Sequence, residues 1–176
     1  VLARSVNAVS GRESPLQLAK LESLLEGLSD NPKVAHTLGG CRLQPIGGRL
    51  GVFREMRGAG LPSLRLAPGE RALWDNRFAV ELRSNAPAPV TVAALGEARW
   101  RDLRGGAPWL AELPRFAGAT LPACFDGGQI LVPTPAQRAD AADGGGVEFR
   151  ARFVNAPSTF GQVPHLKDGI EEACTS

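Results

Sequence analysis

The chain has 176 residues, 43% apolar and 22% charged, with a formal net charge of +2. That length can bury one large or two small cores, and with no run of eighteen apolar residues no segment is predicted to span a membrane. The three cysteines (Cys41, Cys124, Cys174) and two histidines (His36, His165) show neither Cys-x-x-Cys nor metal-ligand spacing, which excludes a zinc module and a dithiol redox motif.

Residues 1–10 place Leu2, Val6 and Val9 at helical spacing, and Gly11 suits the left-handed end of that helix. A second helix is predicted with Ser14 as cap, Pro15 at its first position and Gln17 at its third. Leu18, Leu21, Leu24, Leu25 and Leu28 form its apolar stripe, and the Ser29-Asp30-Asn31-Pro32 run breaks it. From residue 37 the period becomes that of strands. Residues 37–46 read as one strand with a bulge at Gly39-Gly40, followed by a Gly47-Gly48 hairpin turn and a returning strand over 49–55. Cys41, Leu43, Leu50 and Val52 take its inward positions. Residues 57–71 read as a loop.

In residues 72–82, Phe78, Val80 and Leu82 share one face, and Trp74 and Phe78 are predicted core anchors. Asp75-Asn76 turns or bulges the chain, since both residues tolerate left-handed dihedrals. Arg77, beside that bend, is either a solvated charge or a phosphate grip. Residues 90–95 read as a strand paired with residues 72–82. Residues 97–104 hold three arginines around Trp100. They read either as a phosphate clamp with a base-stacking aromatic or as a short helix that buries Trp100. Residues 121–125 and 129–133 form a hairpin through Asp126-Gly127-Gly128. Gly144-Gly145-Gly146 lacks the Lys-Ser/Thr ending of a phosphate loop and precedes a strand. That strand covers 147–154, with Val147, Phe149, Ala151 and Phe153 on one face.

The predicted fold class is therefore α+β: a short N-terminal helical pair followed by a mostly antiparallel β-domain built from hairpins. The expected division is a helical segment 1–32, a β-rich domain 33–155 and a tail 156–176. The chain begins at Val1 and its only methionine is Met56, so a piece of a longer protein is expected.

Charge is distributed unevenly. Residues 31–104 carry twelve basic and six acidic residues, whereas residues 105–176 carry five basic and eight acidic. Seventeen of the twenty basic residues are arginine, the side chain suited to bidentate phosphate contact. A GC-rich genome also favours arginine, but it does not explain a central block. Catalytic signals are sparse: there is no Gly-x-Ser-x-Gly elbow, and pairing Cys41 with His36 or His165 as a nucleophile has no spacing in its favour. The chain reads as a binding or supporting module more than a self-sufficient catalyst.

Several segments recur in a known order: His36-Thr37-Leu38-Gly39-Gly40-Cys41-Arg42-Leu43, Arg54-Glu55, Leu73-Trp74-Asp75-Asn76-Arg77-Phe78, Ala94-Leu95-Gly96, Leu121-Pro122-Ala123, Asp126-Gly127 and Leu131-Val132-Pro133. Together they resemble the C-terminal half of bacterial tRNA(Ile)-lysidine synthetases, especially alphaproteobacterial forms, over residues 5–135. Asn76 stands where a glycine is usual, and Pro133-Thr134-Pro135 where a Pro-His pair is common. The resemblance implies a parent ligase that uses ATP and Mg to adenylate the wobble cytidine of the tRNA(Ile) anticodon, after which lysine displaces AMP. It implies a catalytic Ser-Gly-Gly loop in an N-terminal ATPase domain. No Ser-Gly-Gly occurs here, so no catalytic residue is carried over and no cofactor is assigned to this chain. The implied partners are tRNA and that ATPase domain, in the cytoplasm; scattered thiols suit a reducing compartment. Homodimerisation is left open. Arg42, Arg54, Arg57, Arg77, Arg99, Arg101 and Arg104 are the candidate phosphate contacts, with Trp100 for base stacking. The alternative is a structural domain that packs on the ATPase domain and touches RNA little.

Overall fold

The computed structural model describes residues 1–12, 14–56, 58, 60–133 and 149–154. Residues 1–55 form one compact unit and the described residues of Met56–Val154 form a second. The expected boundary at residue 32 thus lies inside the first unit. The chain is α+β, two helices followed by antiparallel sheets.

In the first unit, α1 (Leu2–Ser10) ends at Gly11, whose φ of 66° is left-handed as expected. α2 (Leu18–Asp30) starts later than its capping pattern predicts. Gln17 is its N-cap and no side chain bonds there, so Ser14 and Pro15 precede the helix rather than open it. Its stripe is narrower than read: Leu24 and Leu28 are buried, whereas Leu18 is 69% exposed. β1 (His36–Leu38), β2 (Cys41–Ile46) and β3 (Arg49–Arg54) form an antiparallel meander. Gly39-Gly40 is not a bulge. It is a two-residue hairpin turn, with Leu38 opposite Cys41 and both glycines at positive φ, where other residues strain. Val6, Leu24, Leu28, Leu38, Cys41 and Leu43 make the core, joining both helices to one face of this sheet.

The second unit holds two antiparallel sheets. One has the order β4-β7-β8-β9, from β4 (Leu64–Leu66), β7 (Val90–Ala94), β8 (Pro122–Asp126) and β9 (Gln129–Leu131). The other has the order β10-β6-β5, from β5 (Arg71–Trp74), β6 (Phe78–Leu82) and β10 (Phe149–Phe153). The predicted pairing of residues 72–82 with 90–95 does not occur. Residues 72–82 are themselves a hairpin, and β7 pairs with β4 and β8. Short β4 lies inside the stretch read as a loop. The inner faces of both sheets share one core, with Leu66, Val90, Val92 and Cys124 from one and Trp74, Phe78, Val80, Leu82, Phe149 and Ala151 from the other. Between β7 and β8 come α3 (Glu97–Leu103), α4 (Pro108–Ala111) and α5 (Arg115–Ala119), around a smaller core of Leu95, Trp100, Leu110 and Ala123. α4 and α5 have no apolar periodicity long enough to be read from sequence.

Among the described residues, no helix is long and apolar enough to cross a membrane.

Candidate nucleic-acid interface

The candidate arginines divide by what their guanidinium groups touch. In the first unit, Arg42 Nε donates to Gln44 Oε1 at 2.9 Å, and Arg54 Nη1 donates to the Gly40 carbonyl at 3.0 Å. Both are half-buried, and Arg54 braces the Gly39-Gly40 turn. Arg57 lies outside the described residues.

Arg77 is neither solvated nor on the surface. It is 4% exposed. Trp74 and Phe78 are opposite each other in the β5–β6 register, and Arg77 N–H donates to the Trp74 carbonyl at 3.0 Å. The turn between them needs left-handed Asp75 (φ 51°) and Asn76 (φ 52°), as in a type I′ turn. The bend sends the Arg77 side chain inward, where Nε donates to Asp75 Oδ2 at 2.6 Å and Nη2 to the Thr120 carbonyl at 3.0 Å. Its Cζ lies 5.7 Å from the Trp74 ring centre and 5.2 Å from that of Phe78. Its own carbonyl accepts from the Val154 N–H at 2.8 Å. Arg77 therefore ties the β5–β6 turn to the α5–β8 junction and to the end of β10. Its placement corrects both expected surface roles.

α3 carries the most exposed of the candidates. Trp100 is its anchor, 5% exposed, with Nε1 donating to the Leu110 carbonyl at 3.2 Å. Gly118 of α5 presses on the indole so closely that a Cβ there would overlap Trp100 Cδ1 and Nε1. Arg104 stacks over the ring, its Cζ 4.7 Å from the centre. Trp100 is thus held in the core and offers no open face to a base, which corrects its expected stacking role. Of the two readings of residues 97–104, the short helix with a buried tryptophan is the one observed.

Arg99, Arg101 and Arg104 are exposed. A helix turns about 100° per residue, so Arg101 and Arg104 sit roughly 60° apart and Arg99 about 160° from Arg101. One flank therefore holds Arg101 and Arg104, and the other holds Arg99, whose Cζ lies 4.8 Å from the Phe125 ring centre. Arg115 of α5 joins the Glu97 side through a 3.6 Å ion pair between exposed side chains. Sequence reasoning missed Arg115 and Phe125, because only the packing of α5 and β8 around α3 brings them there. Stacking of Arg99 and Arg104 on aromatic faces limits their rotamers while both residues stay exposed. That geometry suits charge-assisted bonds to phosphate oxygens.

The two described thiols, Cys41 and Cys124, are both buried. Burial, and secondarily the negative charge of Asp126, push the Cys124 pKa from 9.0 up to about 11, so the reactive thiolate is disfavoured. Cys41 is buried and its Sγ donates to the Val6 carbonyl at 3.5 Å. His165, Cys174, Gly144-Gly145-Gly146 and the tail 156–176 lie outside the described residues.

Comparison with known proteins finds a partial likeness. Two curated tRNA(Ile)-lysidine synthases of Rickettsia rickettsii, from strains Sheila Smith and Iowa, are each 28% identical to this chain over 79 residues. The matched stretch is 45% of this chain and 16% of each relative. No family model matches the chain, and no solved structure matches it significantly.

Proposed function

We propose that this chain is the tRNA-holding accessory part of a lysidine-forming ligase, and that it positions the RNA without performing the chemistry. The observation that carries this reading is the 79-residue similarity to tRNA(Ile)-lysidine synthases. The exposed arginines of α3 support it. Arg101 and Arg104 on one flank, with Arg115 beside them and Arg99 on the other, contact backbone phosphates. Such contacts fix the orientation and register of an RNA but do not read its sequence.

Among the described residues, the glycine pairs do not build a phosphate loop. The paired glycines at 39–40, 47–48 and 127–128 sit in β-hairpin turns, and Gly105-Gly106 follows a helix, so none opens a phosphate loop. In this reading, ATP, Mg and lysine are handled by the ATPase domain of the parent protein, and the chain contributes RNA affinity.

Titration of the chain with tRNA at two salt concentrations tests the proposal. Binding at low salt that weakens steeply as salt rises is expected, because arginine contacts release condensed counterions. Absence of binding at low salt overturns it in favour of a domain that only packs on the ATPase part.

A further inference from the structure

The sheet of order β4-β7-β8-β9 turns one face to the shared core, where Leu66, Val90, Val92 and Cys124 sit. Alternation sends Arg65, Thr91, Phe125 and Ile130 to the other face. Register sets these four in one row across the strands. Arg65 lies opposite Thr91, Thr91 opposite Phe125, and Phe125 opposite Ile130.

The row changes character along its length. Ile130 and Phe125 pack against the small core of Leu95, Trp100, Leu110 and Ala123 that the helices build. Thr91 and Arg65, toward the β4 edge, are exposed. Phe125 is half-buried and marks the border, and Arg99 reaches to it from α3, its Cζ 4.8 Å from the ring centre. The result is a step: its wall carries Arg99, and its floor carries Thr91 and then Arg65. Neighbouring strands lie about 4.8 Å apart, so the Arg65 backbone is roughly 10 Å from that of Phe125, with Thr91 halfway.

Arg99 lies about 160° round α3 from Arg101, so the two cannot grip the same phosphate. Around the helix, Arg99 stands between Leu103, which packs into the small core, and the exposed Asp102. A phosphate on the Asp102 side meets a like charge, which favours the sheet side. There the row supplies a hydroxyl and a second guanidinium. Arginine and threonine side chains are both donors to nucleic-acid backbone oxygens, the first charged and the second neutral. We infer that Arg65 and Thr91 join Arg99 in one line of contact with an RNA backbone, the two guanidiniums meeting phosphates on either side of the Thr91 hydroxyl. The inference rests on the RNA-holding reading above and deepens it by naming the residues that work with Arg99.

The test uses the whole chain and tRNA. The wild type, Arg65→Ala, Thr91→Val and Arg99→Ala/Arg101→Ala/Arg104→Ala are titrated over a salt series. Arg65→Ala is expected to lower the slope of log K against log salt by about 0.7–0.9, the share of one phosphate contact. Thr91→Val keeps the strand's β-branched shape; it is expected to weaken binding and leave the slope unchanged. An Arg65→Ala chain with wild-type slope and affinity overturns this inference alone, while slope lost by the triple variant keeps α3 as the interface. A wild type that does not bind overturns both readings together. If Arg65→Ala fails to fold, Arg65→Gln, which keeps a long polar side chain, carries the same test: an unchanged slope refutes the contact, and a slope lowered by about 0.7–0.9 with an unchanged thermal midpoint supports it.

Discussion

Replacing Arg77 with methionine should destabilise the second unit severely while leaving the exposed arginines of α3 in place. The side chains of Arg77 and Asp75 are 5% and 7% exposed and meet at 2.6 Å. Removing the guanidinium takes the 2.6 Å donor from the buried Asp75 carboxylate and a donor from the Thr120 carbonyl. Breaking one side of such a buried pair costs about 3–5 kcal/mol, a large part of a typical stability of roughly 5–15 kcal/mol. With a urea m-value of about 2 kcal/mol/M, the unfolding midpoint falls by about 2 M. All three tryptophans, Trp74, Trp100 and Trp109, lie in the second unit, so their fluorescence reports its unfolding alone. The double variant Asp75→Asn/Arg77→Met removes the buried charge and keeps a residue that tolerates the left-handed turn. It should be about 1–2 kcal/mol less destabilised than Arg77→Met. A single variant within about 0.5 kcal/mol of wild type refutes the reasoning, and so does a double variant no better than the single. At a temperature where Arg77→Met stays folded, the salt slope of tRNA binding should not move. A drop equivalent to one phosphate contact contradicts the buried placement.

Other positions give independent checks. Gly118→Ala forces a methyl into the Trp100 indole and should cost about 1–3 kcal/mol, read as a lower urea midpoint; a neutral result contradicts the α3–α5 contact. Asn76→Val places a β-branched residue at a φ of 52° and should cost about 1–2 kcal/mol, whereas Asn76→Gly should be well tolerated. Cys124 gives a pH signature. Its pKa is raised from 9.0 to about 11 by folding, so its contribution to stability is complete below pH 9 and is lost as the pH rises through 11. Between pH 8 and pH 10.5 the wild-type midpoint should fall more than that of Cys124→Ala, and equal falls contradict the burial of the thiol.

Local signals in the sequence were reliable where one residue type settles the geometry. Gly47-Gly48 and Gly127-Gly128 marked hairpins, Gly11 marked the end of a helix, and Trp74 and Phe78 marked core. Asn76 also makes sense locally. It occupies a left-handed position with a φ of 52°, and asparagine tolerates that conformation better than most residues. Pairing between distant strands was not legible. Residues 72–82 and 90–95 have compatible alternation, but alternation does not say which strand is the neighbour: β10 lies beside β6, and β4 and β8 lie beside β7. The candidate interface was half legible. Composition singled out residues 97–104 but not the inward turn of Arg77, which depends on the Asp75-Asn76 bend and on Thr120 forty-three residues away. Nor did it single out Arg65 and Thr91, because β4 lies inside a stretch that reads as a loop and its pairing with β7 is not local.

The most direct test of the central claim is the salt dependence of tRNA binding by the chain and by Arg99→Ala/Arg101→Ala/Arg104→Ala. The wild type should bind at low salt, and the triple variant should lose about 2–3 of slope, near 0.7–0.9 for each arginine, while staying folded with an unfolding midpoint lowered only by the loss of the two ring contacts, about 0.5–1 kcal/mol each. A triple variant that keeps both the affinity and the slope of the wild type would contradict an RNA-holding role for α3.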